Sequence, residues 1–104
     1  MNPGDAFWVE LRGRGSEHRG RHPAIIVQAA GTGFASTRLC VPTSTSAAPL
    51  SWRVEIEVAG ERTVALTEQL RVIDVDSLRE SLGRVSSDDL RDVLARVRDL
   101  LPLV

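Results

Sequence analysis

Apolar and polar residues alternate over several short stretches of this chain, a pattern typical of β-strands that bury one face. Phe7, Val9 and Leu11 occupy every second position of residues 6–11, which predicts the first strand. The same alternation, or a short apolar run, predicts further strands at 24–28, 38–42, 53–58, 63–66, 70–73 and 82–85. Loops are expected between them at 12–22, 29–36 and 43–51, with a turn at 59–61 and a single helical turn at 76–80.

Near its C-terminal end the chain has the three- and four-residue spacing of an amphipathic helix. The apolar positions of this stretch are Leu90, Val93, Leu94, Val97, Leu100 and Leu101. Ser86 and Asp89 have the spacing of a capping box, in which each side chain bonds the other residue's backbone N–H, and Pro102 ends the helix. The apolar stripe could cover the core or a partner subunit, and the core is the preferred interpretation.

Five to seven short strands and one helix in 104 residues favour a small antiparallel barrel, and we expect one domain over residues 1–104. No apolar stretch approaches the roughly 18–20 residues of a membrane span, and the first residues lack the basic and apolar regions of a signal peptide. Cys40 is the one cysteine, so no internal disulfide is expected. A reducing, cytoplasmic location is therefore the default.

Positive charge is concentrated in one part of the chain. The net charge is −1, yet residues 12–38 carry five arginines against one acid, Glu17. The densest part is 15–23, which places basic and titratable side chains between two glycines and Pro23, directly before an apolar strand. Proline favours an extended conformation of the residue before it, so Arg21 and His22 should point to opposite sides. The guanidinium fork suits phosphate, and the segment is expected to form a phosphate-facing edge.

Several motifs, in order along the chain, resemble those of the MazF/PemK toxins. They are Gly4-Asp5 with the strand Phe7–Leu11, Gly15-Ser16-Glu17 before Pro23, Cys40-Val41-Pro42, Glu68-Gln69-Leu70-Arg71, and Leu82-Gly83-Arg84-Val85-Ser86. This resemblance implies a mainly β fold, namely an SH3-like antiparallel barrel with a C-terminal α-helix, that pairs into a homodimer. It implies a toxin of a type II toxin–antitoxin pair that cuts single-stranded RNA without metal or cofactor, by attack of the 2′-hydroxyl. A cognate acidic antitoxin would hold the toxin inactive.

The resemblance also implies roles for individual residues. Members typically have Arg directly before the proline, whereas this chain has His22 there and Arg21 one place earlier. The expected catalytic residues are His22, Arg21, Ser44 and Glu17, with Ser44 at the position of a phosphate-contacting Thr in the relatives. The expected substrate-binding residues are Arg19, His18, Thr43, Thr45, Trp52 and Arg53. Trp8 could stack on a base, but its place in a strand favours the core. His18 and His22, although four residues apart, are not expected to bind a metal.

Two other functions compete with the ribonuclease. A toxin of the same barrel fold could poison DNA gyrase, as the CcdB group does, and it would not need the charged segment 15–23 for catalysis. A barrel without the arginine before Pro23 could also bind RNA and never cut it. Changing residues of the charged segment would separate the first alternative from the ribonuclease, and mapping the ends of incubated RNA would separate the second.

Overall fold

The computed structural model describes residues 1–12, 20–32 and 36–102, and these ranges contain seven strands and one α-helix. The strands are β1 (Asp5–Leu11), β2 (Gly20–Ile26), β3 (Thr37–Ser44), β4 (Val54–Val58), β5 (Glu61–Ala65), β6 (Arg71–Asp74) and β7 (Leu78–Arg84). The helix α1 spans Ser87–Asp99, and short 3-10 turns lie at Thr67–Gln69 and Val75–Ser77. Within the described ranges, no helix is long and apolar enough to cross a membrane.

The strands form one antiparallel sheet that curls into a half-barrel, and this confirms the expected barrel-like fold with a C-terminal helix. The order is β4-β5-β3-β2-β1-β7, and β6 also pairs with β3. The central strand β3 therefore has β2 on one edge, and on its other edge β6 beside its first half and β5 beside its last residues. Because β3 contacts three strands, its position fixes the relation of the hairpins to one another.

Both faces of the sheet are covered by apolar residues. The first cluster contains Ala6, Ile25, Val41, Ile56, Val58, Ala65, Val85 and Val93, and it lies between the sheet and α1. The second cluster contains Val9, Leu11, Ala24, Ile26, Cys40 and Ile73, on the opposite face. Because side chains alternate along a strand, neighbouring residues such as Ala24 and Ile25 belong to different clusters. This explains why the second strand reads as a continuous apolar run.

Several strand ends differ from the sequence-based expectation. The segment 20–22 was expected in a loop but belongs to β2, because Gly20 pairs with Leu11 of β1. Thr43 and Ser44 were also expected in a loop but belong to β3, where they pair with β5. The expected helical turn at 76–80 lies at Val75–Ser77 instead, and β7 begins directly after it. In each case another strand provides the backbone partners, namely β1 for β2 and β7, and β5 for the end of β3.

The first residue of the capping box behaves as expected and the second does not. Ser86 Oγ accepts a hydrogen bond from the Asp89 N–H at 3.1 Å, as an N-cap should. The Asp89 carboxylate does not complete the box; it accepts a hydrogen bond from the Glu57 N–H of β4 at 3.0 Å. It therefore ties the start of α1 to an edge strand of the sheet.

The apolar stripe of α1 is divided between core and surface. Val93 is fully buried, and Leu90 and Val97 pack against the first cluster, so this part covers the core as preferred. Leu94, Leu100 and Leu101 remain exposed on the described chain.

We expect Ser86→Ala to lower the free energy of unfolding by about 1 kcal/mol, because the first turn of α1 loses the acceptor for an otherwise unpaired N–H. Chemical denaturation monitored by circular dichroism measures the change. Ser87→Ala is the matched control, since Ser87 is exposed and already helical. Equal stability of Ser86→Ala and wild type would show that the cap contributes nothing.

Candidate functional site

We define the inner face of the sheet as the face that carries the first cluster. Where the strands leave the core, the residues on this face change from aliphatic to aromatic, charged or hydroxyl-bearing. Counting by two from the aliphatic residues of the cluster, it carries Trp8 on β1, Arg21 on β2, Thr43 on β3 and Thr63 on β5. These four residues line one open cleft of about 340 Å³. Apolar wall comes from Val58 and Leu82, hydroxyls from Ser44, Thr45 and Ser46, and one carboxylate from Glu61.

Arg21 provides the positive charge of the cleft. Its guanidinium carbon lies 5.2 Å from the centre of the Trp8 ring, a cation–π arrangement. The guanidinium also forms an ion pair with Glu80 of β7. The backbone N–H of Glu80 and the Arg21 guanidinium hold the pKa of the Glu80 carboxyl below its usual value. Both side chains are about half exposed or more, and exposed ion pairs contribute little stability, so an anionic ligand can compete with Glu80 for Arg21.

His22 borders the same cleft from the other side of β2. It pairs with Val9 in the β1–β2 register, so its side chain shares a face with the second cluster, and Arg21 lies on the inner face. This agrees with the expectation that the two side chains point to opposite sides. Since Ala24 pairs with Pro42, the same register continued by two residues places His22 level with Ser44. The two are therefore neighbours on one face at the ends of β2 and β3.

The hydroxyl groups after Pro42 differ in their environment. The Thr43 side chain is fully buried, and its hydroxyl donates a hydrogen bond to the Pro23 carbonyl at 3.0 Å. It joins β3 to β2, which favours a structural role over the expected substrate contact. Ser44 Oγ lies 3.1 Å from Ser46 Oγ and accepts a bond from the Ser46 N–H at 3.3 Å. Thr45 is exposed at the rim.

Trp52 and Arg53, expected to bind substrate, are not among the residues that line the cleft. The Arg53 guanidinium makes a forked contact with Glu68, with Nε 3.1 Å from both carboxylate oxygens, and donates to the Ala48 carbonyl at 3.0 Å. Burial acts to raise the pKa of Glu68, but hydrogen bonds from Arg53 and from its own N–H outweigh burial and leave it lowered. Arg53 therefore stabilises the segment before β4. Trp52 is 40% exposed.

Three of the expected site residues, Glu17, His18 and Arg19, lie outside the described residues. The structure adds residues that the sequence did not indicate, namely Glu61 and Thr63 in the cleft wall and Glu80 beside Arg21. Trp8 was expected in the core but lines the cleft. Its position in the alternation was the available signal, because it shares a face with Glu10 and not with Val9.

Cys40 does not contribute to this site. It is fully buried in the second cluster, and burial raises the pKa of its thiol to about 12, although Arg71 acts in the opposite direction. At neutral pH the thiol stays protonated and is a poor nucleophile. Across residues 1–12, 20–32 and 36–102, no group of three or more His, Cys, Asp and Glu side chains is placed to hold a metal ion.

The chain as a whole is similar to a family of known proteins. A family model described as "PemK-like, MazF-like toxin of type II toxin-antitoxin system" matches residues 2–101. A Mycobacterium tuberculosis protein named "Putative toxin Rv3098A/RVBD_3098A" is 42% identical over 62 residues, which cover 60% of this chain and 58% of that protein's length. The crystal structure of MazF from Deinococcus radiodurans superposes with a TM-score of 0.87 at 25% identity, covering 99% of this chain and 97% of the other. A MazE–MazF structure from the same organism gives a TM-score of 0.78, also at 25% identity, covering 100% and 97%.

We expect Thr43→Val to lower the free energy of unfolding by about 1 kcal/mol, because it keeps the shape of the side chain and removes the hydrogen bond to Pro23. Urea denaturation measures this. Thr45→Val is the control, since Thr45 is exposed and no change is expected there. If Thr43→Val were as stable as wild type, the hydroxyl would not be structural.

Proposed function

This chain belongs to the PemK-like, MazF-like toxins of type II toxin–antitoxin systems, and we propose that it is an endoribonuclease that cuts single-stranded RNA. The observation that carries the proposal is the half-exposed guanidinium of Arg21, which lies over the Trp8 ring in an open cleft lined by hydroxyl groups. A guanidinium offers planar donors to phosphate oxygens, and an indole offers a surface on which an unpaired base can stack. The two together suit a single strand better than a duplex.

The chemistry is transfer of the phosphoryl group within the RNA strand. The 2′-oxygen attacks phosphorus while its proton passes to a base, and the bond to the 5′-oxygen breaks as that oxygen receives a proton from an acid. The products are a 2′,3′-cyclic phosphate and a 5′-hydroxyl, and neither metal nor cofactor takes part. Arg21 stabilises the charge that develops on the phosphate oxygens. His22 and Glu17 are the proposed groups that take up and deliver these protons. The Ser44 hydroxyl donates a hydrogen bond to the phosphate.

The proposed partner is an acidic antitoxin that covers the cleft. The five arginines of residues 12–38 offer an electrostatic target, and the Deinococcus radiodurans relative is a MazF in complex with MazE. The toxin would act as a homodimer in the cytoplasm, where its RNA substrate is found.

The experiment that tests this function is incubation of the purified protein with a long single-stranded RNA in EDTA, followed by mapping of the new ends. We expect defined cuts that leave a 2′,3′-cyclic phosphate and a 5′-hydroxyl. RNA that is bound but remains intact at excess protein would support a non-catalytic RNA-binding barrel. RNA that is neither bound nor cut, together with inhibition of DNA gyrase, would support the gyrase-directed alternative.

We expect Arg21→Ala to lower the cleavage rate about 10²–10³-fold, the usual effect of removing a donor to a developing negative charge. Arg21→Lys should recover part of the rate, because it restores the charge without the planar fork. Rates are measured on a short RNA under single-turnover conditions. Arg62→Ala is the matched control, since Arg62 is an exposed arginine that pairs with Glu55 and does not line the cleft.

The comparison with His22→Ala tests how the roles are divided. His22→Ala should slow cleavage about 10²–10⁴-fold, as expected for a group that transfers a proton, while RNA binding and its salt dependence stay near those of wild type. Arg21→Ala should weaken RNA binding and reduce its salt dependence. A folded Arg21→Ala protein that cuts at the wild-type rate would show that another residue stabilises the negative charge on the phosphate.

A further inference from the structure

One buried hydroxyl in the cleft has no hydrogen-bond partner. Thr63 is 6% exposed, and among the residues that the structure describes its Oγ1 is the only buried side-chain nitrogen or oxygen without a partner. Burying an unpaired hydroxyl costs free energy, and valine would fill the same space with a similar shape and a high strand propensity. The fold therefore gives no reason for a hydroxyl at this position.

The other buried threonines show what a structural hydroxyl looks like in this protein. Thr43 donates to the Pro23 carbonyl, and Thr67 donates to the Trp52 carbonyl. Each of these bonds joins two segments that are distant in sequence. Rotating either side chain would break its bond, whereas rotating the Thr63 side chain about χ1 would break no hydrogen bond. The Thr63 hydroxyl therefore loses no bond if it turns toward a ligand in the cleft that its residue lines.

The surroundings of Thr63 indicate which part of an RNA strand it would meet. Val58 and Leu82 are apolar, and Glu61 carries a negative charge two residues before Thr63. The Glu61 carboxylate disfavours a phosphate close to Thr63, whereas Arg21 attracts one, and the apolar lining suits a flat group with a polar edge. The volume of about 340 Å³ lies at the lower end of the range for small-molecule pockets, about 300–1,000 Å³. It is of a size to hold one splayed-out nucleotide.

We propose that the Thr63 hydroxyl hydrogen-bonds the edge of an unstacked nucleobase in the cleft and so sets which base the protein prefers next to the scissile bond. This rests on the proposed ribonuclease function and adds a determinant of its specificity. In single-stranded RNA the base edges are accessible to side chains, and sequence is read from them. A site that is built to hydrogen-bond a substrate rejects an analogue that lacks the group, because its own polar atom is then left unpaired.

The experiment compares wild type, Thr63→Val and Thr63→Ser in the 104-residue protein. The first measurement is thermal stability, with Thr43→Val as the matched control. Thr63→Val should melt at the wild-type temperature or above it, because it removes a polar atom that has no partner. A drop for Thr63→Val as large as the one for Thr43→Val would show that the Thr63 hydroxyl is structural and would overturn the proposal.

The second measurement is kcat/KM on a panel of short RNAs that carry each of the four bases in turn at the positions flanking the cut. Thr63→Val should lose about tenfold of the preference at one position, and Thr63→Ser, which keeps the hydroxyl, should retain most of it. Cleavage by Thr63→Val with unchanged preference overturns this inference and leaves the ribonuclease function standing. If the wild type binds the RNAs without cutting them, a binding preference that Thr63→Val loses supports the contact although the enzymatic function fails. Absence of RNA binding by the wild type overturns both.

Discussion

The alternation of side chains along β2 is the constraint on which the rest of the structure depends. β2 lies between β1 and β3, and both of its faces are buried over residues 24–26, so each of these three residues contributes to one cluster or the other. Ile25 belongs to the first cluster and Ala24 and Ile26 belong to the second. A shift of register by one residue would exchange the two faces and bring the wrong side chains into each cluster. The register is therefore strongly fixed, and it stays fixed where the strand leaves the core.

The cleft lies where the inner face of the sheet extends beyond the apolar residues of the first cluster. Next to the aliphatic positions of the first cluster, on the same face, lie Trp8, Arg21 and Thr63, which line the cleft. The hairpin of β4 and β5 limits the opening on one side, with its turn at Ala59 and Gly60, both at positive φ (51° and 80°). The ends of the strands themselves therefore provide the groups that line the cleft.

The sequence was sufficient where local spacing decides the structure. The helix follows from an N-cap serine and three- and four-residue spacing, and the β4–β5 hairpin follows from strict alternation on both sides of a glycine turn. It was insufficient where a distant segment decides. The ends of β2 and β3 depend on pairing with β1 and β5, the Asp89 carboxylate bonds an N–H of β4, and Glu80 meets Arg21 across 59 positions. A single sequence carries no record of such pairings.

The same alternation divides the residues of the candidate site into two sets. It therefore decides on which face of β2 the positively charged side chain lies. His22 and Ser44 share the face of the second cluster, whereas Arg21 shares the inner face with Trp8. An arginine directly before the proline, as in the MazF/PemK pattern, would project from the His22 side. Arg21 cannot take over that position by a small rotation, because moving one residue along a strand changes the face.

Both sets nevertheless border one cleft, because His22 and Ser44 line it together with Arg21 and Trp8. On the proposed ribonuclease function, the permanent charge of Arg21 and the imidazole of His22 would together take the role that the resemblance assigns to one arginine before the proline.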